Sequence, residues 1–147
     1  MAAAVAAMAQ VRIATPDTEM VLKAEKGGEL QILYFGVRLS DADVKVLEAA
    51  GVPHHNAYQP YGIWCASEAS LGVTHADGNL STVLKVESVT TEDEPTAKVT
   101  RIKLKDSVYP FYVTVCYRAY HDVDMIETWT EIENQEKKPV TLTRFDS

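Results

Sequence analysis

The residues most able to do chemistry cluster in one stretch, Pro53 to Ala69, which has no clear hydrophobic period and is the longest such stretch in the chain. It holds His54 and His55, Tyr58, Tyr61, Trp64, Cys65 and Glu68. Long irregular loops in compact domains often carry function. Aromatic rings beside polar groups suit sugar recognition, because apolar C–H faces stack on the rings while neighbouring side chains bond the hydroxyls. Tyr58, Tyr61 and Trp64 are the candidate stacking rings, Tyr61 and Trp64 foremost, and Glu68 the candidate acceptor. Packing of the same rings onto a sheet explains the composition too, and composition by itself favours that plainer reading.

Other constellations are weaker. His54, His55, His75 and Asp77 lack the ligand spacing of a metal site, and adjacent histidines on an extended chain point apart. No metal is therefore expected. Asp122 with Asp124, and Glu131 with Glu133, are the pairs that glycoside hydrolysis would require, held roughly 5–10 Å apart. The first pair sits in a hairpin connection and the second on one face of a strand, so turn formation and a wet sheet face explain both. Cys116 reads as a small core residue, and Cys65 lies in the aromatic loop. Two cysteines allow one bridge or two free thiols, not a disulfide scaffold. The chain contains no phosphate-binding glycine loop, nucleophile elbow or zinc-protease helix, and no catalytic residue is assigned.

The elements that must position the loop read as strands. Glu19–Ala24 and Glu29–Phe35 flank Lys26-Gly27-Gly28, a hairpin signal. Leu80–Val89 follows the turn residues Asp77-Gly78-Asn79. In Lys98–Lys105, Thr100, Ile102 and Leu104 alternate with Arg101, Lys103 and Lys105, and Phe111–Ala119 puts its odd-numbered residues on one face. Met125–Glu133 and Val140–Phe145 complete a run of consecutive antiparallel strands. One helix interrupts them, opened by Ser40-Asp41-Ala42-Asp43 and stopped by Gly51-Val52-Pro53. The expected fold is all-β with one short helix, an antiparallel β-sandwich over residues 19–147.

Residues 1–18 are read as an Ala-rich tail or a signal remnant, with Ala7-Met8-Ala9 fitting a cleavage site but no basic segment before it. The first alternative leaves the chain cytoplasmic and the second sends it to the periplasm or outside the cell. The 147 residues suffice for one domain, and a net charge of -7, from 14 basic and 21 acidic residues, argues against nucleic acid and anionic membrane as partners. No run of 18 apolar residues suggests a transmembrane helix.

Five segments in order carry a resemblance. They are Glu29–Leu39, Tyr58-Gln59-Pro60-Tyr61-Gly62, Leu71–Gly78, Tyr120–Glu127 and Glu133–Leu142. Together they resemble the N-terminal domain of α-galactosidases of glycoside hydrolase family 36, from about residue 19 to the end. The resemblance implies a β-supersandwich of the galactose mutarotase-like type, here incomplete. It also implies a following (β/α)₈ barrel, absent from this sequence, that removes terminal α-linked galactose with retention by means of two aspartates. On this reading the chain is non-catalytic. It supports the barrel and the rim of the pocket, takes part in homo-oligomer formation and needs no cofactor. The family's acidic-aromatic-basic-acidic segment corresponds here to Trp64-Cys65-Ala66-Ser67-Glu68, where Cys65 and Ser67 replace the first acid and the base and Glu68 alone fits. The alternative is a free-standing carbohydrate-binding or protein-interaction module using the Tyr58–Glu68 loop.

Overall fold

The computed structural model of the chain describes residues 3–4, 10–49, 55–62 and 68–146. Among these residues eleven strands and one helix follow one another: β1 (Ala3–Ala4), β2 (Gln10–Ala14), β3 (Thr18–Lys23), β4 (Gln31–Val37), α1 (Asp41–Ala49), β5 (His55–Asn56), β6 (Leu71–Thr74), β7 (Leu84–Asp93), β8 (Ala97–Asp106), β9 (Phe111–Tyr120), β10 (Ile126–Asn134) and β11 (Thr141–Phe145). They form a five-stranded sheet in the order β1-β7-β8-β9-β10, a four-stranded sheet β2-β3-β4-β5 and a pair β11-β6, all antiparallel. The expected mostly-β sandwich is what the chain adopts.

Alternation decides which side each strand buries. In β8 and β9, Ile102 pairs with Val115 and Leu104 with Val113, and all four face the other sheet. There they join Val11, Ile13, Leu22, Ala24 and Leu30, so the two larger sheets share one core, in which Phe111, Leu22, Ile102 and Leu104 are almost wholly enclosed. Burial of such apolar area is the main favourable term in folding. Strand β2 lies within the segment read from sequence as tail, yet its Val11 and Ile13 are core residues. The hairpin turn after β3 docks sideways on β7: Gly27 N–H donates to Val86 O at 2.8 Å and Val86 N–H to Gly28 O at 2.9 Å. Gly27 takes a φ of 80°, which the turn requires and a side chain would resist.

Sequence order suggests that β11 follows β10 in the same sheet. Instead it crosses to β6, where Leu142 pairs with Val73 and Arg144 with Gly72. The connection after β10 is held by Glu136, whose carboxylate accepts the backbone N–H of Ala76 and contacts the His75 ring, and this directs the chain toward β6.

The helix begins as its cap predicts. Ser40 Oγ accepts the Asp43 N–H at 3.2 Å, and Asp43 Oδ2 accepts the Ser40 N–H at 3.2 Å. Val44 is buried. The predicted stop at Gly51–Pro53 lies outside the described residues. Beside the helix start, Glu19 is fully buried and takes hydrogen bonds from Arg12 Nε, Arg12 Nη2 at 3.0 Å and the Leu39 N–H at 3.0 Å. Arg12 reaches on to Asp41 and the Leu39 carbonyl, fastening α1 to β2 and β3. Burial pushes the Glu19 carboxyl up, but the bonds from Arg12 and Leu39 outweigh it and hold the group below its ordinary range.

A group with a depressed folded-state pKa stabilises above its unfolded value of about 4.3 and loses that contribution as pH falls through the lower folded value. Acid denaturation of the wild type should therefore contain a Glu19 component below about pH 4 that Glu19→Gln removes, as read by circular dichroism. Glu19→Ala, which leaves Arg12 only Asp41 and the Leu39 carbonyl and takes the acceptor from the Leu39 N–H, should cost about 1–2 kcal/mol in urea unfolding. A loss under about 0.5 kcal/mol, ordinary for a surface change, would show that the pair does not hold the helix.

Candidate functional site

Backbone bonds fix the loop after β5 before any side chain acts. Ser70 N–H donates to Gln59 O at 2.7 Å, Tyr61 N–H to Leu71 O at 2.8 Å and Thr82 N–H to Tyr61 O at 3.0 Å. Pro60, which has no N–H to offer, pairs with Leu71 in an isolated parallel bridge. Gly62 turns with a φ of 111° and lies so close to Ser81 that an added Cβ would stand 2.5 Å from its Cα. Tyr58 points inward at 6% exposure, and burial pushes its hydroxyl up to about 12. Tyr61 points outward at 58%.

Tyr61 forms one wall of a cleft of about 380 Å³, whose other walls are Ala69, Gly72, Val73, Leu80, Thr143 and Arg144. Arg144 Nη2 donates to Glu68 at 3.2 Å and its Nε to Asp146 at 2.9 Å. The Glu68 hydrogen bond is the first cause of the raised Arg144 pKa, followed by the one to Asp146. One open cleft thus brings together an aromatic ring, a hydroxyl, a guanidinium and, through it, two carboxylates.

Joined to this cleft through the Thr82–Tyr61 bond is a polar node around His75, which sequence reading weighed as a metal ligand. His75 is 2% exposed. Its Nδ1 lies 2.7 Å from Glu136 Oε1 and its Nε2 3.0 Å from Thr82 Oγ1, while Tyr109 stacks on the ring at 3.8 Å. Hydroxyl, imidazole and carboxylate in this order have the connectivity of a nucleophilic relay. Thr82, however, is fully buried, so no substrate atom reaches its oxygen. The node is structural: through the Thr82 N–H it supports Tyr61.

Of the sequence-predicted residues, Tyr61 and Glu68 flank the cleft, with Glu68 joined to it by Arg144. Trp64 and Cys65 lie outside the described residues, as does His54. His55 is exposed on β5, remote in role from His75. Among the described residues no group of three His, Cys, Asp or Glu is placed to hold a metal ion. Asp124 ties the β9–β10 turn to β3 by accepting from Thr15 and, at 2.7 Å, from Thr18, and these bonds hold its carboxyl low. Glu131 accepts the Trp129 indole N–H at 3.0 Å, and Glu133 pairs with Lys103 at 3.5 Å, so both serve the outer sheet face. Cys116 is buried on that outer face opposite Arg101 and Trp129. Burial first, then the Glu131 charge, pushes its thiol up to about 12. Thr143 and Arg144 were missed because strand alternation would send consecutive side chains to opposite faces.

Residues 28–147 match the profile of the glycosyl hydrolase family 36 N-terminal domain. Among solved structures, the chain superposes on the α-galactosidase AgaA of Geobacillus stearothermophilus with a TM-score of 0.78 at 20% identity, covering 92% of this chain and 23% of that one. AgaA variants have been solved with raffinose and with stachyose. The α-galactosidase of Lactobacillus brevis gives 0.77 at 16% identity, over 92% and 23%. The galactosidase domain of the α-galactosidase-sucrose kinase AgaSK gives 0.82 at 18%, over 99% and 25%. The chain spans about a quarter of these enzymes. No curated protein matches it in sequence.

Replacing His75 by Ala should cost about 3 kcal/mol in thermal or urea unfolding, because Glu136 and Thr82 both lose a buried partner. A surface-like loss below about 0.5 kcal/mol would remove the node from the account. In a Cys65→Ser background, Cys116 should resist iodoacetamide at pH 8 and react only in denaturant. Rapid labelling of the folded chain would contradict its burial.

Proposed function

The chain belongs to the glycosyl hydrolase family 36 N-terminal domain family, and from that premise we propose that it is the non-catalytic front sandwich of an α-galactosidase hydrolysing terminal α-linked galactose. The observation that carries the reading is the family match across residues 28–147. Its partner would be a (β/α)₈ catalytic domain of the same polypeptide, consistent with the share of each solved relative that the chain spans.

Two features support this division of labour. The cleft offers Tyr61 to the apolar face of a sugar and Thr143, Arg144 and Glu68 to its hydroxyls, and so suits a contributor to the pocket rim. At one end of the sandwich, Phe35, Val37, Val123 and Met125 are each at least half exposed around the Thr18–Asp124 bond. Exposed apolar surface of this kind suits burial against another domain. Trp64 and Glu68 extend the proposed rim, and assembly into a homo-oligomer is part of the same proposal. The aromatic ring, hydroxyl and guanidinium that line the cleft favour, as a second reading, a free-standing carbohydrate-binding module.

Reading the gene beyond Ser147 and assaying its whole product with p-nitrophenyl α-galactoside tests the proposal. A barrel carrying a strand-end aspartate pair, with hydrolysis that the 147-residue chain lacks, is expected. A stop directly after Ser147, with no α-galactoside hydrolysis by the gene product, would favour the module. In the active enzyme, Tyr61→Ala and Trp64→Ala should each raise KM about tenfold at constant kcat, as loss of a stacking ring does. An unchanged kcat/KM would place that ring outside the substrate site.

A further inference from the structure

A regular strand sends Thr143 and Arg144 to opposite faces, yet both line the same cleft. The cause is a slip in register between Leu142 and Arg144, which leaves Thr143 unpaired against β6. Bulges of this kind re-aim a side chain. Gly72 makes the bulge fit, since a methyl group there would run into Thr143 Oγ1 and stand 3.6 Å from Arg144 Cβ. Sequence, register and packing therefore combine to turn one guanidinium toward Tyr61.

The two carboxylates hold that guanidinium without using all of it. Asp146 takes Nε and Glu68 takes Nη2, and neither pair uses Nη1, which carries two further N–H donors. One cation against two carboxylates makes the cleft locally acidic, which disfavours phosphate or a carboxylate ligand. Fixed donors beside acceptors, facing an aromatic ring, suit adjacent hydroxyls on a neutral pyranose.

The geometry points to Arg144 as a specificity-determining residue of this cleft, reading vicinal hydroxyls of a neutral sugar through Nη1 while Glu68 and Asp146 orient it. The inference rests on the proposed reading of the cleft as a galactoside-binding rim and adds the residue that discriminates. Arg144→Lys keeps the charge but loses the planar fork, so it does not substitute for the arginine.

The test is a titration of the isotopically labelled 147-residue chain, followed by NMR, with methyl α-galactopyranoside and separately with inorganic phosphate. The sugar should shift the Arg144 Nε–H and the signals of Tyr61, Leu80 and Thr143, and phosphate should not. Arg144→Gln should weaken sugar binding about tenfold and Arg144→Lys nearly as much, with melting temperatures close to wild type because both ion pairs are exposed. Gly72→Ala, whose methyl group would run into Thr143 Oγ1, should weaken binding by displacing the bulge. If Arg144→Gln binds as well as wild type while Tyr61→Ala does not, the assignment of Arg144 is overturned and the galactoside reading of the cleft stands. If phosphate shifts the site and the sugar does not, the ligand class is wrong. If neither moves any signal, the inference falls, and the α-galactosidase reading is still decided separately by hydrolysis in the whole gene product.

Discussion

The fold turns on a single imidazole. The β6–β11 pair shares no strand with either larger sheet among the described residues, so something other than a ladder must attach it. His75, at the end of β6, does so by meeting Glu136 from the β10–β11 connection and Thr82 from the approach to β7. Its ring also stacks on Tyr109 and meets Phe111 edge-on, which joins the node to the apolar core. Both ring nitrogens have partners, which a buried polar group needs if it is not to cost stability. The cleft inherits the arrangement, because Tyr61 hangs from the Thr82 amide and Leu80 lies on the segment that the node pins.

Two further buried carboxylates act in the same manner at other corners. Asp106, 2% exposed, accepts the N–H groups of Val83, Val108 and Tyr109, binding the entry to β7 to the β8–β9 turn. Glu19 performs the equivalent service where the helix meets β3. Apolar alternation gives the sheets their inner faces, but it does not say which loop meets which. Satisfied buried polar groups do, since an alternative pairing would leave them without partners.

This division explains what was legible in the sequence. Strands β8 and β9 stood out because one face of each alternates, and the helix because Ser40 and Asp43 form a local cap. Strand β2 was hidden by the Ala-rich start, and β6 by its four-residue length and internal glycine. The crossing of β11 to β6 depends on Glu136 finding His75, 61 residues away, and no local pattern announces such a contact. The site was legible by halves. Loop composition singled out Tyr61 and Glu68, whereas Arg144 owes its place to a bulge that breaks the very periodicity used to read strands. The sandwich was legible from strand patterns, and the family resemblance added the family that composition alone did not reach.

The docking of the Gly27–Gly28 turn and of Ala3–Ala4 on β7 has a consequence for the molecule among its neighbours. An outermost strand with open backbone groups is a template on which another chain can grow as amyloid or as a swapped dimer. On β7 those groups are engaged at Val86, Thr90 and Thr91. At the far side of the same sheet, β10 carries Glu127, Glu131 and Glu133, whose charge repels a like strand. The widest sheet among the described residues is thus guarded at both margins against polymerisation.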